Sequence, residues 1–167
     1  MRSLVLLFVI TLFSVAYSYC AEIGEPIDVL GDWAVFETIQ DNKTLCYAMT
    51  IPQSSKTNYE NRGKPFVTLI KEKGSKNFEV NVSVGYIISD NIGSVELQVK
   101  NDKYPFVNFQ DRAWAYDMED DKAIVKQLLE SAVFNIYSKS DSGRYSMDVY
   151  SLNGFNSSYK RIDELCR

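Results

Sequence analysis

The chain has no histidine anywhere in its 167 residues. That absence excludes Ser-His-Asp and Cys-His catalysis and every zinc site that needs an imidazole. The chain also lacks a glycine-rich phosphate loop and a dinucleotide fingerprint. Ser142-Gly143 has neither the glycine framework of a hydrolase elbow nor a base to serve it. Positive charge is not in excess: the formal net charge is −4. An acidic balance excludes sequence-independent binding to nucleic acid. Finally, no apolar run is long enough for a comfortable membrane span.

What is present is an N-terminal segment of secretory type. Arg2 supplies positive charge, and 4–15 is apolar except for Thr11 and Ser14. Ala16 and Ser18 fit the small-x-small rule for cleavage after Ser18, and Ser18 with Cys20 fits it for cleavage after Cys20. Tyr19 before Cys20 does not fit a lipoprotein signal. Residues 1–20 are thus read as a signal peptide and 21–167 as a single domain, large enough to bury a core. The competing reading of 1–20 is an uncleaved anchor. The segment carries only Arg2, so the mature charge would be −5.

Export gives the cysteines a meaning. With Cys20 gone, Cys46 and Cys166 remain, and an oxidising compartment favours one disulfide between them. Closing so long a loop would stabilise by about 4–5 kcal/mol in the chain-entropy model. The alternative is two separately buried thiols. Asn42, Asn81 and Asn156 each begin an N-glycosylation acceptor pattern, a weak signal on its own.

Tyrosine, phenylalanine and β-branched residues are plentiful, which favours strands. Trp33 and Val35 share one face of a first strand, and Asp41-Asn42-Lys43 turns the chain. The return strand places Leu45, Tyr47, Met49 and Ile51 on one face and stops at Pro52. Residues 53–64 are polar and without period, which predicts a loop. Strands follow at 65–70, at Phe78, Val80, Val82 and Val84, and at Val95, Leu97 and Val99. Pro105 predicts an edge position for 104–109, and 113–116 is one more short strand. Asp120 or Asp121 can cap a helix striped by Ile124, Val125, Leu128, Leu129 and Ala132. After strands at 133–137 and at Tyr145, Met147 and Val149, Asn153 can cap a last helix. Its face, Phe155, Tyr159, Ile162 and Cys166, can lie on the sheet that holds Cys46. Roughly eight or nine short strands with two short helices predict a mainly antiparallel β-sandwich.

Candidate sites weigh as follows. Asp117-Met118-Glu119-Asp120-Asp121 offers carboxylates of the kind calcium uses, but without EF-hand spacing or its glycine. An acidic helix start accounts for it better. Any two carboxylates could serve a glycosidase, yet nothing in the sequence selects a pair. Trp33 and Trp114 could be ligand platforms, although Trp33 beside Val35 reads as core. Tyr59 in the polar segment is the better exposed aromatic, read either as a contact or as a solvated loop residue. An interface would use loops such as 53–64, since loops carry function on a rigid scaffold.

Three segments together resemble the invasion-associated locus B family of bacterial envelope proteins. They are Gly31-Asp32-Trp33-Ala34-Val35 with the return strand to Cys46, Gly93-Ser94-Val95-Glu96-Leu97-Gln98-Val99, and Val149-Tyr150-Ser151-Leu152-Asn153-Gly154-Phe155. The resemblance implies an immunoglobulin-like sandwich exported across the inner membrane, in bacteria that enter host cells. It brings no catalytic residues and no cofactor. Many members carry a cysteine where Phe36 and Glu37 stand and two more where 112–116 has none, so a Cys46–Cys166 pair would be this chain's own solution. The expectation is a non-enzymatic periplasmic, outer-membrane-associated or secreted protein. It would work through a protein partner in the envelope or on the host cell, without a stable membrane span after signal cleavage. The alternatives are a hydrolase using two carboxylates in a cleft and a periplasmic carrier with a dry apolar cavity between its sheets.

Overall fold

The computed structural model describes residues 24–167, so the expected signal segment lies outside the described residues. Eleven strands and two helices follow in order. They are β1 (Asp28–Leu30), β2 (Trp33–Gln40), β3 (Lys43–Thr50), β4 (Ser54–Thr57), β5 (Phe66–Glu72), β6 (Glu79–Ser83), β7 (Val95–Val99), β8 (Asp102–Phe109) and β9 (Arg112–Ala115). Then come α1 (Met118–Leu129), β10 (Val133–Lys139), β11 (Tyr145–Ser151) and α2 (Phe155–Leu165). All pairings are antiparallel, in the order β1-β2-β3-β5-β6-β9-β8-β7-β10-β11-β4.

The order bends into two layers at β8. Its first half, through Pro105, pairs with β7, and from Phe106 onward it pairs with β9. Pro105 therefore marks the handover between sheets and not an outer edge. A missing backbone donor is tolerated where a ladder changes partner. The larger sheet holds β1, β2, β3, β5, β6, β9 and the end of β8. The smaller holds β4, β11, β10, β7 and the start of β8.

One core lies between them. Val35, Ala48, Leu69, Val80 and Val82 come from the larger sheet, and Val95, Leu97, Phe134, Ile136 and Tyr150 from the smaller. The helices cover what the smaller sheet leaves open. α1 sets Ile124 and Leu128 into the core. α2 brings Phe155 to Trp33 with ring centroids 4.9 Å apart, and its Asp163 pairs with the inward-facing Lys71.

Caps and turns differ in detail from the sequence expectation. Asp117, not Asp120 or Asp121, caps α1, accepting from the Glu119 and Asp120 N–H groups. Residue 117 has extended backbone, as an N-cap requires. Gly154, not Asn153, precedes α2, with φ of 91°. A Cβ there would stand 1.8 Å from the Leu30 carbonyl oxygen, so only glycine fits. That contact joins two distant segments: Asp32 N–H donates to the Asn153 carbonyl at 3.0 Å, and Trp33 Nε1 to that of Ser151 at 3.0 Å. Asp41 and Asn42 both have positive φ and close the β2–β3 hairpin in two residues, leaving Lys43 to begin β3.

Candidate functional site

In a paired sheet, residues directly opposite each other share a face. The register of the larger sheet therefore lays out its outer surface row by row. The central row runs Val29, Ala34, Met49, Thr68, Asn81, Trp114, Val107. On one side lies Phe36, Tyr47, Ile70, Glu79. On the other lies Phe66, Ser83, Arg112, Phe109. Most of these positions are apolar or aromatic, and those, Phe36 apart, are half-buried or open.

These residues are not core. Phe36 is buried, yet it stands outside the core cluster, as do Tyr47, Met49, Ile70 and Trp114. Their mutual contacts shield them. Phe36 stacks on Tyr47 at 5.0 Å, and the Arg112 guanidinium lies 4.8 Å over the Phe66 ring. Burial pushes the Tyr47 hydroxyl up. Grooves open at both ends of the face. One of about 480 Å³ is lined by Val29, Met49, Ile51 and Pro52. The other, about 580 Å³, is lined by Leu45, Ile70, Asn81, Trp114 and Asp121. Asn81 Oδ1 is sealed from solvent without a partner, in the middle of the apolar row.

Trp33 sits in the core, while Trp114 belongs to this outer row. The β3 residues Leu45, Tyr47 and Met49 also face outward, and the small residues Cys46 and Ala48 face in. The reason is space: α2 presses on the inner side of β3, and Cys46 bonds Cys166 with S–S 2.14 Å.

The outer face of the smaller sheet is ordinary by contrast. Its central row is Lys56, Met147, Tyr137, Glu96, Pro105, and Lys103 pairs with Glu96 at 3.0 Å. A shallow groove of about 410 Å³ between Lys56, Tyr137, Lys139 and Tyr145 is mixed in charge.

Residues 53–64 are not a free loop. Ser54–Thr57 forms β4, paired with β11, and the segment is then pinned inward. Arg62 donates to both oxygens of Asp148, at 2.7 and 2.5 Å, and to the Val84 carbonyl at 2.6 Å. Ser55 Oγ donates to Asp148 Oδ1 at 2.7 Å. Asp148 is fully buried, so the pair is a structural clamp. Beside it Tyr86, Ser138 and Ser146 share a buried hydroxyl network. Tyr59 is no solvated contact residue: it stacks on Tyr86 at 5.0 Å under the Arg144 guanidinium.

The acidic cluster also resolves into structural roles. Asp117 caps, and Glu119 and Asp120 occupy the first turn. Asp121 turns inward and accepts the Val80 N–H at 2.8 Å. Desolvation pushes its carboxyl up to about 6, the Val80 hydrogen bond lowers it, and the charges of Glu79, Asp120 and Asp117 raise it further. Among the described residues, no group of three or more His, Cys, Asp or Glu side chains could hold a metal ion. Nor, among them, is any helix long and apolar enough to cross a membrane. Of the three glycosylation patterns, Asn81 lies within β6, and Asn156 spends its amide on the Leu129 carbonyl.

No family model matches the chain, and no curated protein matches it in sequence. Among solved structures, its fold is similar to that of the crystal structure of invasion associated protein b from Bartonella henselae. The TM-score is 0.58 at 18% identity, over 83% of this chain and 95% of that one. At that identity the likeness is one of fold.

Proposed function

We propose that the chain is an exported, non-enzymatic β-sandwich of the bacterial envelope or secretome that acts by protein contact, in the association of the bacterium with a host cell. The observation that carries this reading is the outer face of the larger sheet. A contiguous apolar and aromatic surface, with neither helix nor sheet upon it among the described residues, marks an interaction site. The absence of histidine in the sequence supports a contact role over acid–base chemistry. The fold-level likeness to an invasion associated protein supports the envelope setting and the host-cell context. The Cys46–Cys166 bond supports passage through an oxidising compartment.

The contact is assigned to strands and not to 53–64, because that segment is committed inward through Arg62 and Tyr59. The test exchanges one half-buried methionine on each face. Met49→Lys on the larger sheet is expected to reduce host-cell association by tenfold or more, while Met147→Lys on the smaller leaves it unchanged. Equal behaviour of the two variants would sink the assignment. Intact mass of the exported chain, starting at Tyr19 or Ala21 and with Cys46 and Cys166 unreactive until reduced, checks export itself. A chain still carrying Met1 with free thiols contradicts it.

A further inference from the structure

We infer that the occupant of the larger sheet's outer face is a second copy of this chain, packed face to face about a two-fold axis. The inference rests on the contact reading above and names the partner. Two observations carry it.

The first is size. The face crosses seven strands. Strands stand about 4.8 Å apart and side-chain rows about 6.8 Å apart along a strand, so the seven positions of the central row and the four of each flanking row cover about 490 Å². Two such faces remove about 1,000 Å² together, the size of a weak and reversible pairing. A pair of like twisted sheets also has a ready packing mode, aligned at about −30°.

The second is charge. The two flanking rows carry one charge each, of opposite sign. Glu79 closes the row of Phe36, Tyr47 and Ile70, while Arg112 lies in the row of Phe66 and Phe109. The two rows flank the central one on opposite sides, and the two residues lie on neighbouring strands, β6 and β9. A two-fold axis along the central row places each outer row over the opposite row of the other copy. Glu79 of each copy then comes over Ser83 of its mate, one strand (about 4.8 Å) from the mate's Arg112 and within reach of that long side chain, twice by symmetry. Within one copy neither charge has a close counter-charge, although the Arg112 guanidinium rests on the Phe66 ring. Among the described residues Glu79 is in no ion pair, and Arg112 reaches only Asp111 at 4.0 Å. The face is thus complementary to itself, both in its apolar centre and in its two charges.

Sedimentation equilibrium of the purified chain over a wide concentration range tests this. A monomer–dimer equilibrium is expected, weakened by tenfold or more in Arg112→Glu and in Glu79→Arg. The double variant restores it, since the reversed charges face each other again. Met49→Lys abolishes pairing and Met147→Lys does not. A chain that stays monomeric throughout, or a dimer indifferent to Met49→Lys and to both charge reversals, overturns the inference. If the chain is monomeric while Met49→Lys still loses host-cell association, self-pairing fails and the contact reading stands with another occupant. If pairing follows the expected pattern while host-cell association ignores it, self-pairing stands and the host-cell reading fails.

Discussion

The two sheets of this sandwich break the usual pattern in opposite places. The larger is regular inside, with Val35, Ala48, Leu69 and Val80 in the core, and irregular outside, where Tyr47, Met49, Ile70 and Trp114 are only half-buried. The smaller is regular outside, with Lys56, Glu96 and Lys103, and irregular inside, where Ser138, Ser146 and Asp148 are buried. A polar interior needs partners, and the 53–64 segment supplies them through Ser55 and Arg62. The apolar exterior is left open, since nothing within the described residues covers it. The first irregularity is solved inside the molecule; the second points out of it.

Breaking the anchor of each sheet should produce the largest effects. Removing the Cys46–Cys166 bond, with both residues replaced by alanine, is expected to cost about 4–5 kcal/mol, since the bond spans 120 residues. Urea unfolding under identical conditions measures it, and a loss under about 1 kcal/mol contradicts the chain-entropy account. On the smaller sheet, Asp148→Ala leaves Arg62 buried without its counter-charge and should cost about 3–5 kcal/mol. Replacing both Arg62 and Asp148 by apolar residues should cost less than the single change. A double variant as unstable as the single one would show that the segment, not the charge, is being held.

Asp121 lies at the seam between α1 and the larger sheet. Folding raises its pKa from 3.8 to about 6, so the folded chain binds that proton more tightly than the unfolded one. Its contribution is therefore fully present below about pH 4 and is lost as pH rises through about 6. Asp121→Asn keeps an acceptor for the Val80 N–H and removes the titration. It should stabilise the fold at pH 7 by about 2 kcal/mol and flatten the stability profile between pH 4 and 7. An unchanged profile means that water reaches the carboxyl.

The smallest effects on stability sharpen the comparison most. Met49→Lys and Met147→Lys each change a half-buried outward methionine, and each should alter unfolding free energy by less than about 1 kcal/mol. At concentrations low enough to keep the chain monomeric, binding of a fluorescent apolar dye should separate them, falling for Met49→Lys only. Equal dye binding in the two would mean that the faces are alike in solution.

The mainly β architecture was legible in the sequence, because alternation at Val80-Val82-Val84 and Val95-Leu97-Val99 needs only the two-residue period. The side that faces in was less so. In β3 and β11 the more apolar alternation, Tyr47 with Met49 and Met147 with Val149, points out. The inward side carries Cys46 and Ala48, or Ser146 and Asp148. Period fixes which residues go together; burial depends on what packs above them, and that is tertiary. β4 escaped notice for the same reason, since Ser55 and Thr57 show no apolar pattern although Ser55 bonds a buried carboxylate. β8 was misplaced because Pro105 reads as an edge wherever a ladder ends, and here the ladder changes partner. The outer aromatic face was invisible as a unit: its central row draws one residue from each of seven strands between positions 29 and 114.

The bond between Cys46 and Cys166 has a last consequence, for resistance to proteolysis. It encloses nearly every exposed turn described here, including Asp141-Ser142-Gly143, within one covalent ring. A protease that clips any one of those turns opens the ring but releases no fragment. The two pieces stay joined through sulfur and stay zipped along their strands. A nicked molecule would keep its size and its surfaces until it met a reductant, so a single cut need not end its working life.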